Sequence, residues 1–311
     1  MLDLKLQAML DQMAATGAPD IGDLPPEVGR PVYRQILTAG DPPPADVLTE
    51  ERQIPGPAGQ LPVRVYTPRG AVSGARGLVL YCHGGGFVLG DLDTYDSVCR
   101  AICRDSGCVM VAVDYRLAPE HPFPAAVEDC YGALAWVAAH AAGLGGDARR
   151  IAVCGDSAGG NLAAVLALLA RQKGPAIRYQ VLIYPVTTAM PGDLPSHEAF
   201  GEGTVLSLKA MRAFTTYYFG DSGRAPDFRG APLMEDDLSG LPPALILVGG
   251  HDVLRDDGVA YAERLMAAGV PATLVAYSGL SHGFINMASF LPGGRLALSQ
   301  VGVALRLALE A

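Results

Sequence analysis

Short apolar runs alternate with helical stretches over most of this chain. The runs that predict strands cover residues 61–68, 77–81, 108–115, 151–154, 179–185, 243–249 and 272–277. The main predicted helices cover residues 125–140, a stretch that starts at Asn161, and residues 207–219, 256–268 and 296–309. Strands that alternate with helices form a parallel sheet with helices on both faces. The sequence therefore predicts an α/β fold.

Composition narrows the class of protein. The chain has 311 residues and a net charge of -9, which disfavours nucleic acid as a partner. No apolar stretch is long enough to span a bilayer, so we expect no stable membrane insertion. The N-terminus lacks the pattern of a secretory signal, and six cysteines are too few for a disulfide framework. These features favour a cytoplasmic globular protein.

Residues 187–240 interrupt the alternation of strands and helices. An excursion of this length is too long for an ordinary crossover loop. We expect it to form a cap over the carboxyl ends of the strands, where open α/β sheets bind ligands. The N-terminal helical segment, residues 1–50 with a proline-rich stretch at 41–44, is expected to contribute to this cap. Residues 51–311 would then form the catalytic domain; a peripheral decoration is the alternative role for the insertion.

The pentapeptide Gly155-Asp156-Ser157-Ala158-Gly159 lies between a predicted strand and a predicted helix. In such a strand–turn–helix unit the serine is strained and exposed, and the helix N-terminus points at it. A glycine-rich turn with an incidental serine would give the same five letters. The position after a buried strand favours Ser157 as a nucleophile.

A serine nucleophile needs a base, and that base needs an orienting acid. In this fold they follow the serine in the order acid, then histidine. His282 follows the last predicted strand and is the predicted base, whereas His197 lies in the insertion. Asp252 follows the preceding strand and is the predicted acid. Asp256 is held in reserve, since it and Asp257 are expected to cap the next helix.

Acyl transfer also needs donors for an oxyanion. One predicted donor is the N–H of Ala158, the residue directly after the predicted nucleophile. The other donor is expected in the loop His83-Gly84-Gly85-Gly86-Phe87, which follows an early strand. Glycines in this loop let backbone N–H groups face the site. A flexible hinge is the alternative role for these glycines. His83 is expected to hold the loop rather than to act as a base.

With these residues in view, the chain resembles the hormone-sensitive-lipase-like family of α/β-hydrolase carboxylesterases. The motifs that carry the resemblance are His83-Gly84-Gly85-Gly86-Phe87, Asp114-Tyr115-Arg116-Leu117-Ala118-Pro119-Glu120, His121-Pro122-Phe123-Pro124-Ala125-Ala126, Gly155-Asp156-Ser157-Ala158-Gly159-Gly160-Asn161, Asp252-Val253-Leu254-Arg255-Asp256 and His282-Gly283-Phe284. The resemblance implies an eight-stranded, mostly parallel sheet with a helical cap. It also implies that Gly85 and Gly86 are the oxyanion donors beside Ala158. A homodimer through the edge strand near residues 272–277 is a further implication.

The sequence thus predicts a serine carboxylesterase that acts through an acyl-enzyme and needs neither a metal nor an organic cofactor. The resemblance implies short- to medium-chain acyl esters as the small-molecule substrates. An amidase or deacetylase could use the same three side chains. A ligand-binding protein without catalysis on this fold is the alternative from another class, but such proteins usually lose a member of the triad.

Overall fold

The computed structural model describes residues 1–39, 46–70 and 74–310. Within these residues, eight strands form a single sheet in the order β1-β2-β4-β3-β5-β6-β7-β8. The strands are β1 (Val47–Gly56), β2 (Gly59–Pro68), β3 (Arg76–Cys82), β4 (Val109–Val113), β5 (Gly146–Asp156), β6 (Tyr179–Ile183), β7 (Ala244–Gly249) and β8 (Ala272–Tyr277). β2 is antiparallel to β1 and β4, and the neighbouring strands from β4 to β8 are parallel. The predicted mostly parallel sheet is confirmed.

Helices cover both faces of the sheet. In the described residues they are α1 (Leu4–Thr16), α2 (Pro26–Thr38), α3 (Asp96–Ser106), α4 (Ala125–Ala139), α5 (Ala158–Lys173), α6 (Pro195–Ala199), α7 (Leu208–Phe219), α8 (Arg255–Ala267) and α9 (Pro292–Glu310). Side chains alternate across each strand, so Leu80 of β3 belongs to the hydrophobic core beneath α4, α5 and α8. Val79 and Tyr81 pack on the opposite face with α3 and α9. Each face therefore has its own hydrophobic core.

Strand β1 has no counterpart among the predicted strands, and the expected boundary at residue 51 falls inside it. Its side chains are largely exposed because β1 forms an edge hairpin with β2. Glu50, Glu51 and Arg52 occupy its centre, so no apolar pattern marks it. An exposed edge strand of this kind is invisible to hydrophobic periodicity.

The N-terminal helices and the insertion after β6 contact each other. A 3₁₀ turn at Ile21–Asp23 packs on α7, so closely that a Cβ at Gly22 would lie 2.5 Å from the Ala210 Cα. Asp23 forms an ion pair with Lys209 at the start of α7. The proline-rich stretch at 41–44 lies outside the described residues. Among the helices that the structure does describe, none has the length and apolar character required to cross a membrane.

Candidate active site

Ser157 lies at the turn between β5 and α5. Its backbone has φ 55° and ψ -119°, a region that non-glycine residues rarely adopt. The turn is also tightly packed, since a Cβ at Gly155 would overlap the Gly159 carbonyl and one at Gly159 would overlap that of Cys82. Ala158 is the first residue of α5, so its N–H precedes the hydrogen bonds of the helix and lies at the positive end of the helix dipole.

Three side chains from separate parts of the chain meet at this turn. The Nε2 of His282 lies 3.0 Å from the Ser157 Oγ. The Nδ1 of His282 lies 2.9 Å from one carboxylate oxygen of Asp252 and 3.1 Å from the other. The Asp252 side chain is fully buried and also accepts a hydrogen bond from the Leu254 N–H, at 2.8 Å. This geometry allows His282 to take a proton from Ser157 while Asp252 stabilises the charged imidazole.

Asp256 and Asp257 lie in the first turn of α8, where the sequence predicted them, but neither carboxylate accepts a capping hydrogen bond from a backbone N–H in the described residues of the helix. The residue before the helix is Leu254, whose side chain cannot accept a capping bond, and the Asp256 N–H donates to the Ser196 hydroxyl at 3.1 Å. Asp256 instead accepts the Ser196 N–H at 2.9 Å, and Asp257 accepts the Thr187 N–H at 2.8 Å. Both carboxylates therefore bind the insertion, because its first residues pass directly over the start of α8.

The glycine-rich loop after β3 lies against Asp156 and Gly159, on either side of Ser157 in the sequence. Gly85 has φ 111° and Gly86 has φ 63°, and the Gly85 carbonyl accepts the N–H groups of Val88 and Leu89, at 3.1 and 2.8 Å. In the described part of the chain no hydrogen bond uses the N–H of Gly85 or of Gly86. Side chains could not occupy these positions, since a Cβ at Gly86 would overlap the Phe214 ring of α7.

The carboxylate of Asp156 binds this loop through hydrogen bonds. One oxygen accepts hydrogen bonds from the Tyr81 hydroxyl at 2.8 Å and from the Gly84 N–H at 2.9 Å. The other oxygen lies 3.3 Å from the Tyr95 hydroxyl. Burial raises the pKa of Asp156 to about 6, although these hydrogen bonds and the nearby charge of His282 act in the opposite direction. Asp156, the residue before Ser157, is thus bound directly to the start of the glycine-rich loop, residues 83–87, which is called the oxyanion loop below because we propose that it supplies oxyanion donors.

His83 is buried at the base of the same loop. Its ring stacks on that of Tyr115, with centroids 4.3 Å apart, and its Nδ1 lies 2.7 Å from the Gly84 carbonyl oxygen. The Tyr115 hydroxyl donates to the His83 carbonyl at 2.8 Å. Burial lowers the pKa of His83 to about 4, so the ring is neutral at pH 7 and its Nδ1–H can donate to Gly84.

Comparison with known proteins identifies the family. A family model described as an alpha/beta hydrolase fold matches residues 79–286, about two thirds of the chain. That stretch runs from β3 through the glycine-rich loop, Ser157 and Asp252 to His282. The chain belongs to the hormone-sensitive-lipase-like family of α/β hydrolases.

Several relatives of this α/β hydrolase are named as esterases. Carboxylic ester hydrolase LipN of Mycobacterium tuberculosis is 43% identical, over 98% of this chain and 82% of the relative. Carboxylesterase NlhH of the same organism is 42% identical, over 100% of this chain and 97% of the relative. The solved structure of a hyperthermophilic esterase from Pyrobaculum calidifontis superposes with a TM-score of 0.91 at 42% identity, covering 100% of this chain and 99% of that one.

The hydrolase site also contains residues that sequence reasoning missed. Tyr184, directly after β6, places its ring 4.6 Å from that of His282 and so limits the movement of the imidazole. Tyr81 and Tyr95 donate to Asp156. The sequence offers only a weak indication of these roles. A tyrosine in a buried apolar run needs a hydrogen-bond partner for its hydroxyl, but the sequence does not identify that partner.

Proposed function

We propose that the protein is a serine carboxylesterase that hydrolyses short- to medium-chain acyl esters by two-step acyl transfer. The observation that carries the proposal is the hydrogen-bonded series from Ser157 Oγ to His282 Nε2 and from His282 Nδ1 to Asp252, at 3.0 and 2.9 Å. Ester hydrolysis is supported by relatives named as carboxylic ester hydrolases and carboxylesterases over nearly the whole chain. A third relative is named an ethyl acetate hydrolase, at 41% identity, which supports small esters as substrates.

In the first step, the Ser157 Oγ attacks the ester carbonyl while His282 Nε2 takes its proton. The N–H groups of Gly85, Gly86 and Ala158 donate to the oxyanion of the tetrahedral intermediate. His282 then returns the proton to the leaving alcohol. Water, deprotonated by the same histidine, attacks the acyl-enzyme, and the carboxylic acid leaves as His282 returns the proton to the Ser157 Oγ. Asp252 keeps the imidazole oriented throughout.

We also propose that α1, α2 and the insertion of residues 187–240 form the cap that encloses the substrate. Ser157 is only 7% exposed, so the ester must pass beneath this layer to reach it. Phe214 of α7 lies against Gly86, and Leu206 and Met211 pack beside it around Val253. This apolar lining suits the acyl chain of an ester rather than a charged substrate.

The proposal is tested by replacing Ser157 with alanine and measuring the hydrolysis of a series of p-nitrophenyl esters of increasing acyl length. We expect Ser157→Ala to lose nearly all activity while its circular dichroism spectrum stays native. Ser222→Ala, at an exposed position, is the matched control and should be fully active. Full activity in Ser157→Ala would overturn the assignment, and a maximum at long chains would overturn the proposed substrate range.

An amidase or deacetylase would use the same acyl-enzyme chemistry. The names of the relatives favour esters, so we expect an ester to be hydrolysed much faster than the amide with the same acyl group. Measurement of kcat/KM for such a matched pair decides between the two. A ligand-binding protein without catalysis would hydrolyse neither.

Two further parts of the proposal concern location and assembly. The six cysteines are free and buried, which suits a reducing compartment such as the cytoplasm. β8 is the last strand of the sheet and is only half-buried, so it could pair with β8 of a second copy. Cell fractionation tests the first idea. Light scattering tests the second, and the mass of a single chain would contradict the homodimer.

A further inference from the structure

Helix α2 is bound to the segment that follows the oxyanion loop. The Nε of Arg30 donates to the Val88 carbonyl at 2.9 Å, and another nitrogen of its guanidinium donates to the Ala118 carbonyl at 3.0 Å. One turn further along α2, Arg34 pairs with Asp91 at 3.2 Å. These contacts fix α2 against residues 88–91, directly downstream of the glycines that we propose as oxyanion donors.

Between these two arginines, Tyr33 extends the contact into the core. Its hydroxyl lies 2.9 Å from the Tyr95 hydroxyl, which in turn lies 3.3 Å from a carboxylate oxygen of Asp156. The other oxygen of Asp156 accepts the Gly84 N–H at 2.9 Å. With Asp156 ionised, Tyr95 donates to the carboxylate and Tyr33 donates to the Tyr95 oxygen. A continuous series of hydrogen bonds thus joins the N-terminal helix to the oxyanion loop.

The oxyanion loop packs tightly against Asp156 and Tyr95. A Cβ at Gly84 would overlap a carboxylate oxygen of Asp156 and would lie 2.8 Å from the Tyr95 hydroxyl oxygen. The Gly84 backbone therefore lies directly on both oxygens. A shift of either oxygen moves Gly84, and with it the N–H of Gly85.

We propose that Tyr33 is a positioning residue for ester hydrolysis: its hydroxyl, through Tyr95 and Asp156, aligns the oxyanion loop when α2 is docked. The inference rests on the proposed esterase function. When Tyr33 donates to Tyr95, the Tyr95 hydroxyl becomes a stronger donor to Asp156, so the terminal hydroxyl helps to fix the position of the carboxylate that accepts the Gly84 N–H. The docked helix thereby sets the alignment of donors that act most strongly in the transition state.

The first test compares Tyr33→Phe, which removes one oxygen, with Tyr131→Phe. Tyr131 is a matched control because its hydroxyl also makes one partly buried hydrogen bond, to the Gly174 carbonyl at 2.6 Å, in α4. We expect kcat for a short ester to fall about two- to tenfold in Tyr33→Phe, the usual net effect of one hydrogen bond. KM should stay within about twofold, because the donors act mainly in the transition state. Tyr131→Phe should match the wild type.

The double variant sharpens this test. If Tyr33 acts through Tyr95, then Tyr95→Phe already disconnects it, and Tyr33→Phe should have no further effect on kcat in that background. Independent, multiplicative losses in kcat would overturn the proposal. An unchanged kcat in Tyr33→Phe, or an equal loss in Tyr131→Phe, would overturn it as well.

A second measurement separates this inference from the proposed function. Hydrogen exchange of the backbone amides of residues 83–90 reports on the loop whether or not the protein hydrolyses esters. We expect faster exchange there in Tyr33→Phe and wild-type exchange in Tyr131→Phe. Unchanged exchange in Tyr33→Phe contradicts the role of Tyr33. If exchange is faster in Tyr33→Phe but the wild type hydrolyses no ester, the proposed function is contradicted, whereas the effect of Tyr33 on the loop is retained.

Discussion

Backbone strain is concentrated around the candidate site. Among the described residues, three non-glycine residues have φ in the left-handed region: Phe87 at 64°, Ser157 at 55° and Tyr184 at 35°. Phe87 ends the glycine-rich loop, Ser157 is the proposed nucleophile, and Tyr184 lies against His282. Each such conformation costs of order 1–3 kcal/mol, so the surrounding packing must hold it. At these three positions the direction of the side chain is therefore maintained at a cost in folding stability.

At the scale of single residues, the choice of the triad acid can be tested directly. Asp252→Asn removes the charge that stabilises the His282 imidazolium and favours the wrong tautomer. We expect kcat to fall about a thousand- to ten-thousandfold. Asp256→Asn is the matched control, because Asp256 binds the Ser196 N–H and Arg255 rather than His282, and its kcat should stay close to that of the wild type. The reverse order of effects on kcat would reassign the acid.

The buried imidazole of His83 makes stability depend on pH. Its pKa is lowered to about 4 in the folded protein, so between pH 6.5 and 4 the unfolded chain binds a proton that the folded protein does not. Stability from this group is complete above pH 6.5 and falls by up to about 3 kcal/mol by pH 4. Asp156 and Asp114 act in the opposite direction, since burial raises the pKa of each to about 6.

The informative quantity is therefore a difference between two proteins. His83→Asn keeps an amide donor near the Gly84 carbonyl but does not titrate. We expect the free energy of unfolding of the wild type, relative to that of His83→Asn, to fall by about 3 kcal/mol between pH 7 and pH 4. Urea unfolding at each pH measures it. A difference that does not change with pH would show that the His83 pKa is not lowered.

At the scale of elements, the β7–α8 loop and the first turn of α8 together contact both His282 and the insertion. Asp252 in this loop faces His282, whereas Asp257, five residues later, holds the insertion. Asp257 accepts hydrogen bonds from Thr187 and Thr188 and lies 2.6 Å from the Nε2 of His197. The anchor of the insertion and Asp252, the proposed triad acid, therefore lie only five residues apart in the chain.

Replacement of His197 tests this anchor. His197 is fully buried, and its Nδ1 accepts the Gly192 N–H at 2.9 Å, so the ring joins two parts of the insertion to α8. Glutamine cannot make both bonds, and we expect His197→Gln to lower the free energy of unfolding by about 2–4 kcal/mol. His140→Gln, at an exposed position, should change it by less than about 0.5 kcal/mol. Equal, small effects in chemical denaturation would remove the anchoring role.

At the scale of the whole molecule, the elements and site residues that could be predicted are those that leave a local pattern in the sequence. The strand, turn and helix around Ser157 are contiguous, and buried strands such as β4 and β7 are continuous apolar runs. Chain order then selected His282 and Asp252, which the structure brings to Ser157. β1 was missed because it is an exposed edge strand. The contact between Tyr33 and Tyr95 was missed because it joins side chains 62 residues apart, and such pairs leave no local pattern.

Covalent labelling tests the central claim most directly. An aryl alkylphosphonate reacts with an activated serine by losing its aryloxide, and the tryptic peptide of residues 151–171 contains Ser157 as its only serine. Mass spectrometry should find one phosphonyl group per chain, on that peptide, with no label in Ser157→Ala and much slower labelling in His282→Ala. A label on another residue, or equal labelling of Ser157→Ala, would contradict the assignment of Ser157 as the nucleophile.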